Sequence, residues 1–217
     1  MFDRELDSLV IAAKAAAGRA SGDAPGDPSG DAPGDPVTTL LTRAYPSLLG
    51  YALKLTCDRY LAEEVCQETM VRVIAGFPRY RPVPGRVGAG FQAWLFRIAT
   101  NVHRDMCRKA ARMVLVPDPY AVVTPGAATP RASASIRPGV GAPAEEEAIQ
   151  NIERRTVMDA LAALPVEQRI VLTLRTYHDC SYKEISQIAR CPEGTAKSRL
   201  HYAVLALREE LRRKGVL

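Results

Sequence analysis

The chain has 217 residues, of which 47% are apolar and 24% are charged, and its formal net charge at pH 7 is +5. This composition excludes a membrane or fibrous protein. No apolar run approaches the roughly 20 residues that cross a bilayer. The acidic start, Met-Phe-Asp-Arg-Glu, is unlike a basic secretory leader. We therefore predict a cytoplasmic protein without membrane insertion.

Charge is unevenly distributed along the chain. Residues 1–36 contain seven acids and three bases, so residues 37–217 carry +9. A basic body with an acidic tail favours a polyanionic partner, and nucleic acid is the first candidate.

The first 36 residues combine a helical pattern with a repeat. An amphipathic helix with nothing nearby to pack on is predicted within 1–20, because apolar residues recur there at helical spacing. The octapeptide SGDAPGDP then occurs twice, at 21–28 and 29–36. Such Pro-, Gly- and Asp-rich sequence cannot bury a core. We predict an acidic disordered extension over 1–36.

Residues 37–113 form the first predicted domain, because their apolar spacing is helical almost throughout. Two helices, over about 40–55 and 62–75, precede a basic loop at 77–90 that is rich in proline and glycine. A further helix over 91–113 completes the domain.

The end of this domain combines positive charge with rings. Between Arg79 and Arg112 there are eight bases and one acid. A protein that holds a single nucleic-acid strand needs basic side chains along the phosphate backbone and aromatic rings against unstacked nucleobases. Trp94 and Phe96 are each equally well explained as part of the core. The rings are Tyr80, Phe91, Trp94 and Phe96.

Residues 114–144 are mainly Pro, Ala, Gly and Val, which predicts a flexible linker. A second domain of about four helices follows over 145–217. Its first two helices are predicted over 145–163 and 166–177.

The last two helices have the pattern of a helix-turn-helix. Ser181 and Glu184 form a capping box at the start of the first, and Pro192 ends it. Thr195 is predicted to cap the second helix.

The second helix of this motif has two faces. The apolar face, which packs on the domain, contains Ala196, Leu200, Ala203, Val204, Leu207 and Leu211. The other face carries side chains that reach DNA, namely Thr195, Lys197, Ser198, Arg199, His201 and Tyr202. Alternatively, it is the solvated charged face of an ordinary helical hairpin.

The cysteines are odd in number and form no C-x-x-C pair. Reduced, mostly buried thiols are expected in a cytoplasmic protein. His103 and Cys107, four residues apart, make half of a metal site, but no second pair is present. We predict no metal and no cofactor. The cysteines are Cys57, Cys66, Cys107, Cys180 and Cys191.

Three segments resemble, in order, the second and fourth conserved regions of bacterial extracytoplasmic-function (ECF) sigma factors of the sigma-70 family. They are AEEVCQETMVRVI, FQAWLFRIATNVHRDMCRKAAR and ALPVEQRIVLTLRTYHDCSYKEISQIARCPEGTAKSRLHYAVLALREEL. The resemblance covers about 37–113 and 145–214. It implies an all-α protein of two small helical domains, the second with the helix-turn-helix, and no enzymatic activity.

The resemblance also implies three binding sites. Core RNA polymerase, through the clamp of its largest subunit, would contact Glu63, Glu64, Gln67 and Glu68. The flap of the second-largest subunit would be a further contact. The melted −10 element would be held by the 77–90 loop with Asn101, Arg104, Asp105 and Arg108. The ring pattern described above adds Trp94 to this site. The duplex −35 element would receive the polar face of the last helix. An anti-sigma factor is the implied regulator.

The chain departs from the family pattern at several positions. The 77–90 loop is longer than usual, and residues 1–36 have no counterpart. Arg190 replaces a frequent glycine, Tyr202 a common arginine and Ala196 a common valine.

Two alternatives remain. One is a pure interaction protein, for example the target of an anti-sigma decoy, and the other explains residues 145–217 equally well. A transcriptional regulator would bind duplex operator DNA through the same helix-turn-helix, without polymerase. It leaves the basic and aromatic segment and the acidic face near Glu64 without a function.

Overall fold

The protein, seen in a computed structural model, is described over residues 2–19, 35–115 and 154–216. These residues contain helices and no strand, as the predicted all-α fold requires. None of the described helices is long and apolar enough to span a membrane. The helices are α1 (Phe2–Arg19), α2 (Pro36–Thr56), α3 (Arg59–Gly76), α4 (Val87–Leu115), α5 (154–162), α6 (Val166–Tyr177), α7 (Tyr182–Ala189) and α8 (Glu193–Arg213).

Helices α2, α3 and α4 make the first helical unit. Capping residues in the local sequence determine where α2 and α3 begin. The Asp58 carboxylate accepts the Leu61 N–H at 2.8 Å and caps α3. In the core, the Tyr51 and Thr100 hydroxyls form a buried 2.7 Å hydrogen bond between α2 and α4. This bond satisfies two polar groups that would otherwise be costly to bury.

Helix α1 packs on this unit. Leu6, Val10 and Ala13 are buried against α2 and α4. The expectation of a helix with nothing to pack on, inside a disordered extension, is therefore wrong for residues 2–19. The amphipathic stripe was correctly identified, but its partner surface lies far away in the sequence. Residues 20–34, with most of the repeat, lie outside the described residues.

The segment predicted as a loop over 77–90 is shorter than expected. It begins with a 3-10 turn, Phe77–Arg79, and α4 already starts at Val87. Gly90 allows the loop to fold back on α4, because a Cβ there would approach the Val83 side chain to 3.3 Å. The glycines of this segment thus permit close packing as well as a turn.

Most of the rings predicted to receive bases form core instead. Phe91 and Phe96 are buried and Tyr80 is only 8% exposed, whereas Trp94 is half-buried. The Tyr80 and Trp94 rings stack with centroids 4.7 Å apart. Buried aromatic pairs gain both area and ring contact, which explains this outcome.

Helices α5 to α8 make the second unit. Helix α6 has the predicted bounds, and the capping box of Ser181 and Glu184 is present at α7. The predicted helix over 145–163 is seen from 154 to 162, and its earlier part lies outside the described residues.

Two predictions about the last helix are wrong. Helix α8 begins at Glu193 with Pro192 as its N-cap, so Thr195 lies inside the first turn and caps nothing. Val204 is 48% exposed, because the α8 side chains in the apolar cluster shared with α6 are Leu200, Ala203, Ala206 and Leu207.

The two units pack against each other. Helix α6 contacts α2, and α7 contacts α4. The His178 ring lies between Tyr51 and Phe96, with centroid distances of 5.6 and 4.3 Å. One apolar cluster therefore runs through both units. Helix α4 continues to Leu115, and the rest of the predicted linker lies outside the described residues.

Candidate polymerase and nucleic-acid interfaces

The outer face of α3 contains the residues predicted to bind polymerase. Glu64, Gln67 and Glu68 are exposed, and Glu63 is half-exposed beside Arg59. The structure adds apolar side chains that the prediction did not include. Leu61, Val71 and Ile74 are 40%, 62% and 55% exposed on the same helix. An acidic surface with accessible aliphatic groups is suited to a protein partner.

An ion-pair network links this face to α4. Arg72 contacts Glu68 at 2.8 Å and Asp105 at 3.3 Å, and Asp105 also pairs with Arg108. The hydrogen bond from Arg108, and then that from Arg72, lowers the pKa of the Asp105 carboxyl. Asp105 is therefore anionic at neutral pH. It connects the predicted polymerase face to the predicted −10 face.

A basic cleft of about 550 Å³ opens between the 77–90 loop, α4 and α7. Trp94 and Tyr80 form an aromatic wall of the cleft, and arginine and lysine side chains lie on several sides of it. Trp94 is the one predicted ring that remains partly accessible here. The bases that line the cleft are Arg79, Arg81, Arg86, Arg97 and Lys183.

One carboxylate joins arginines from the two predicted DNA-binding surfaces. Glu167, in the first turn of α6, accepts from Arg104 at 2.6 and 2.9 Å and from Arg199 at 2.7 Å. Arg104 also donates to the Ala189 carbonyl at the end of α7, at 2.9 Å. The Arg104 pair joins the two units, whereas Arg199 and Glu167 belong to the same unit. Neither guanidinium is free for phosphate or base while it is paired with Glu167.

The remaining residues of the two predicted DNA-binding surfaces have different settings. Lys197, Ser198, His201 and Tyr202 are exposed on α8, whereas Thr195 is half-buried. On α4, Asn101 is half-buried and Arg108 is exposed. Four of the six predicted −35 residues thus share an accessible surface, whereas Arg199 is half-buried and paired with Glu167 of α6.

The described cysteines show no metal cluster. His103 and Cys107 are in contact, with Nε2 and Sγ 3.7 Å apart. Among the residues that the structure describes, no group of three or more His, Cys, Asp or Glu side chains is placed to hold a metal ion. Burial raises the pKa of the Cys66 and Cys180 thiols to about 12, which suppresses their reactive thiolate forms.

Comparison with known proteins places the two units in one family. Residues 40–113 match the family "Sigma-70 region 2", and residues 154–207 match "Sigma-70, region 4". These matches define the class, a sigma-70-type transcription factor, in agreement with the α7–α8 helix-turn-helix.

Individual relatives narrow the class. The chain is 36% identical over 169 residues to the ECF RNA polymerase sigma factor SigL of Mycobacterium tuberculosis, covering 78% of this chain and 85% of SigL. It is 31% identical over 154 residues to SigW of Bacillus subtilis, covering 70% and 75%. The sigma factor RpoE of Bartonella quintana, solved in complex with the anti-sigma factor NepR, aligns with a TM-score of 0.61 and 26% identity. That alignment covers 81% of this chain and 96% of RpoE.

The chain therefore belongs to the ECF RNA polymerase sigma factors. The resemblance inferred from three sequence segments is confirmed. Sigma factors are transcription initiation factors and not enzymes, so the expectation of no enzymatic activity is confirmed as well.

Sequence reasoning missed Glu167. Its only sequence signal is an acid in the first turn of a helix, which is common because acids there favour the helix dipole. Its two partners come from α4 and α8 and cannot be anticipated from spacing. The role of Arg72 in the ion-pair network was missed as well, because its partner Asp105 lies on α4, far away in the sequence.

Proposed function

We propose that this chain binds core RNA polymerase and directs it to promoters that carry a −10 and a −35 element. The observation that carries this proposal is the match of both sigma regions, in order, to relatives of the ECF group. The proposed polymerase contact is the outer face of α3, through the clamp of the largest subunit. A second contact, with the flap of the second-largest subunit, would come from the α5–α8 unit. The proposed location is the cytoplasm.

The two DNA surfaces divide the promoter between them. Trp94 and the arginines that the 77–90 loop and α4 add to the cleft suit unstacked single-stranded DNA at the −10 element, because a ring receives an unstacked base and positive charge follows the strand. Lys197, Ser198, His201 and Tyr202 suit the major groove of the −35 element, because they lie near the start of a helix-turn-helix recognition helix. Asn101, Arg104, Asp105 and Arg108 are the proposed α4 contacts with the −10 strand.

The docked arrangement is proposed as the inactive form. Arg104 must leave Glu167 when the units separate, and this frees it for the −10 strand. Arg199 is paired with Glu167 within its own unit and must leave it to contact the −35 element. An anti-sigma factor is the proposed partner of the docked form, supported by the similarity to RpoE, which was solved bound to NepR. Polymerase would favour the separated form, because it holds the two units on different surfaces.

Capture of core RNA polymerase tests the α3 contact. Glu68→Arg reverses a charge on the proposed face, and we expect the affinity for core enzyme to fall roughly tenfold or more, because like charges at an interface are costly. Glu5→Arg is the matched control, since Glu5 is an exposed acid on α1 that is paired with an arginine, as Glu68 is. Equal capture of the two variants would contradict the proposed polymerase face.

The operator-binding alternative makes a different prediction in the same assay. A regulator that works without polymerase would bind duplex DNA tightly alone and leave core enzyme uncaptured. The exposed aliphatic and acidic surface of α3 favours the sigma function.

A further inference from the structure

Helix α1 lies outside the two matched sigma regions, the first of which begins at residue 40. It nevertheless contacts both ends of the segment over 77–90, which carries part of the proposed −10 surface. Two side chains of α1 make these contacts, one at each end.

Asp7 contacts the end of the segment. Its Oδ1 accepts the backbone N–H of Gly88, the second residue of α4. The first N–H groups of a helix have no acceptor within the helix, and a carboxylate there is favoured by the helix dipole. Asp7 therefore serves as a cap for α4 that comes from a distant part of the chain.

Lys14 contacts the start of the segment. Its Nζ donates to the carbonyls of Phe77 and Pro78, at 3.2 and 3.1 Å. The same ammonium lies 5.5 Å from the centroid of the Phe77 ring. Two hydrogen bonds and one cation–π contact thus fix the turn from which the loop leaves α3.

The spacing of these two residues makes α1 a rigid spacer. Seven residues are about two helical turns, so Asp7 and Lys14 lie on the same side of α1, about 10 Å apart along its axis. Leu6, Val10 and Ala13 are buried between and beside them and anchor the helix. The two ends of the loop are therefore held at a set separation.

We propose that α1 positions the −10 recognition loop, with Asp7 and Lys14 as the positioning residues. This inference rests on the proposed function. The 77–90 segment, held at both ends by these residues, carries Arg79, Arg81 and Arg86, three of the basic residues that line the cleft beside Trp94. A loop that is ordered before DNA arrives loses less conformational entropy on binding, and it favours the base that fits its shape. Asp7 and Lys14 act on specificity without contacting DNA.

The test uses the full chain with core polymerase and a promoter library randomised at the −10 and −35 elements. In Asp7→Ala and Lys14→Met we expect the preference among −10 bases to fall roughly fivefold to tenfold, with the −35 preference unchanged. Asp7→Asn keeps an acceptor oxygen and should restore part of the preference. Glu5→Ala is the matched control, because it removes only an exposed 2.7 Å ion pair of α1 with Arg43.

A second measurement needs no polymerase. Amide hydrogen exchange of residues 80–86 in the free protein should be faster in Asp7→Ala and Lys14→Met than in the wild type and in Glu5→Ala. Unchanged exchange, or −10 and −35 preferences that fall together, would overturn the positioning role. A different outcome separates the two proposals. If the wild type directs no promoter-specific starts although exchange is faster in the two variants, the proposed function and the effect on specificity are overturned. The positioning of the loop by α1 then still holds.

Discussion

At the scale of single residues, Glu167 is the most informative side chain. It is the shared acceptor of Arg104 and Arg199, which belong to different proposed DNA surfaces. In Glu167→Gln the charge that holds both guanidinium groups is lost, and partly buried ion pairs respond strongly to loss of one partner. We expect the equilibrium constant for docking to fall roughly tenfold, because the Arg104 pair across the two units is weakened.

Distances between spin labels on α3 and α8 measure that population directly. Glu209→Gln, which removes an exposed acid of α8, is the control and should leave the distances unchanged. If Glu167→Gln is as fully docked as the wild type, the carboxylate does not hold the two units together.

Arg190 supplies a second residue-scale prediction. It caps the end of α7 with a φ of 50°, in the left-handed region where a side chain is strained. Arg190→Gly should raise the free energy of unfolding by roughly 1 kcal/mol, because glycine adopts this conformation without steric cost. Thermal unfolding measures the change. Arg190→Ala removes the same side chain but keeps the strain, so an equally stable alanine variant would refute this explanation.

At the scale of elements, α8 is proposed to combine base contacts with phosphate contacts. His201 and Tyr202 are exposed on α8, and their rings lie 5.5 Å apart, whereas Lys197 is nearer the start of the helix. Tyr202→Ala should change the preferred −35 sequence and leave the −10 preference intact. Lys197→Ala should weaken binding to all sequences and reduce the slope of log affinity against log salt by about 1. Promoter selection at several salt concentrations checks both, and a Tyr202→Ala variant with unaltered −35 preference would contradict the assignment.

The elements also show where sequence is sufficient. Helix α6 and the capping box of α7 were predicted correctly, because both depend on residues within four positions of each other. The cap of α8 was wrong by three residues, Pro192 instead of Thr195, since a Pro-Glu-Gly sequence is compatible with a turn or with a first helical turn.

Tertiary partners decide what sequence alone leaves open. Phe96 is core and Trp94 is half-buried, although their ring chemistry allows either role. The positions of Asp7 and Lys14 against the 77–90 segment depend on contacts across more than 60 residues. No periodicity within a helix carries that information. The proposed binding sites come from the resemblance, and the structure adds how exposed their side chains are.

At the scale of the whole molecule, docking of the two units buries histidines. Burial, and then the charge of Lys54, lowers the pKa of His178 to about 4 against the opposing effect of Asp179. Burial, and then the charges of Arg169 and Arg104, lowers the pKa of His103 to about 4. The neutral ring is thus the form that fits the docked arrangement.

This burial predicts a pH dependence of docking. Because the pKa of His178 is depressed, its contribution to docking is complete above about pH 6.5 and is lost as the pH falls from there toward 4. At pH 5 we expect the docking equilibrium to weaken roughly tenfold, after allowance for the partial exposure of the ring. Small-angle scattering should show a larger radius of gyration at pH 5 than at pH 7.5. His178→Phe cannot gain a proton and should show a smaller change; a pH response identical to that of the wild type would exclude this histidine as its source.

The central claim, promoter selection through polymerase, is tested most directly by transcription itself. Core RNA polymerase is incubated with and without the protein on a pool of promoter fragments, and the transcript starts are sequenced. We predict starts that appear only with the protein and share two elements at a fixed spacing. No protein-dependent starts, together with tight binding of duplex DNA by the protein alone, would contradict the sigma function and favour an operator-binding regulator.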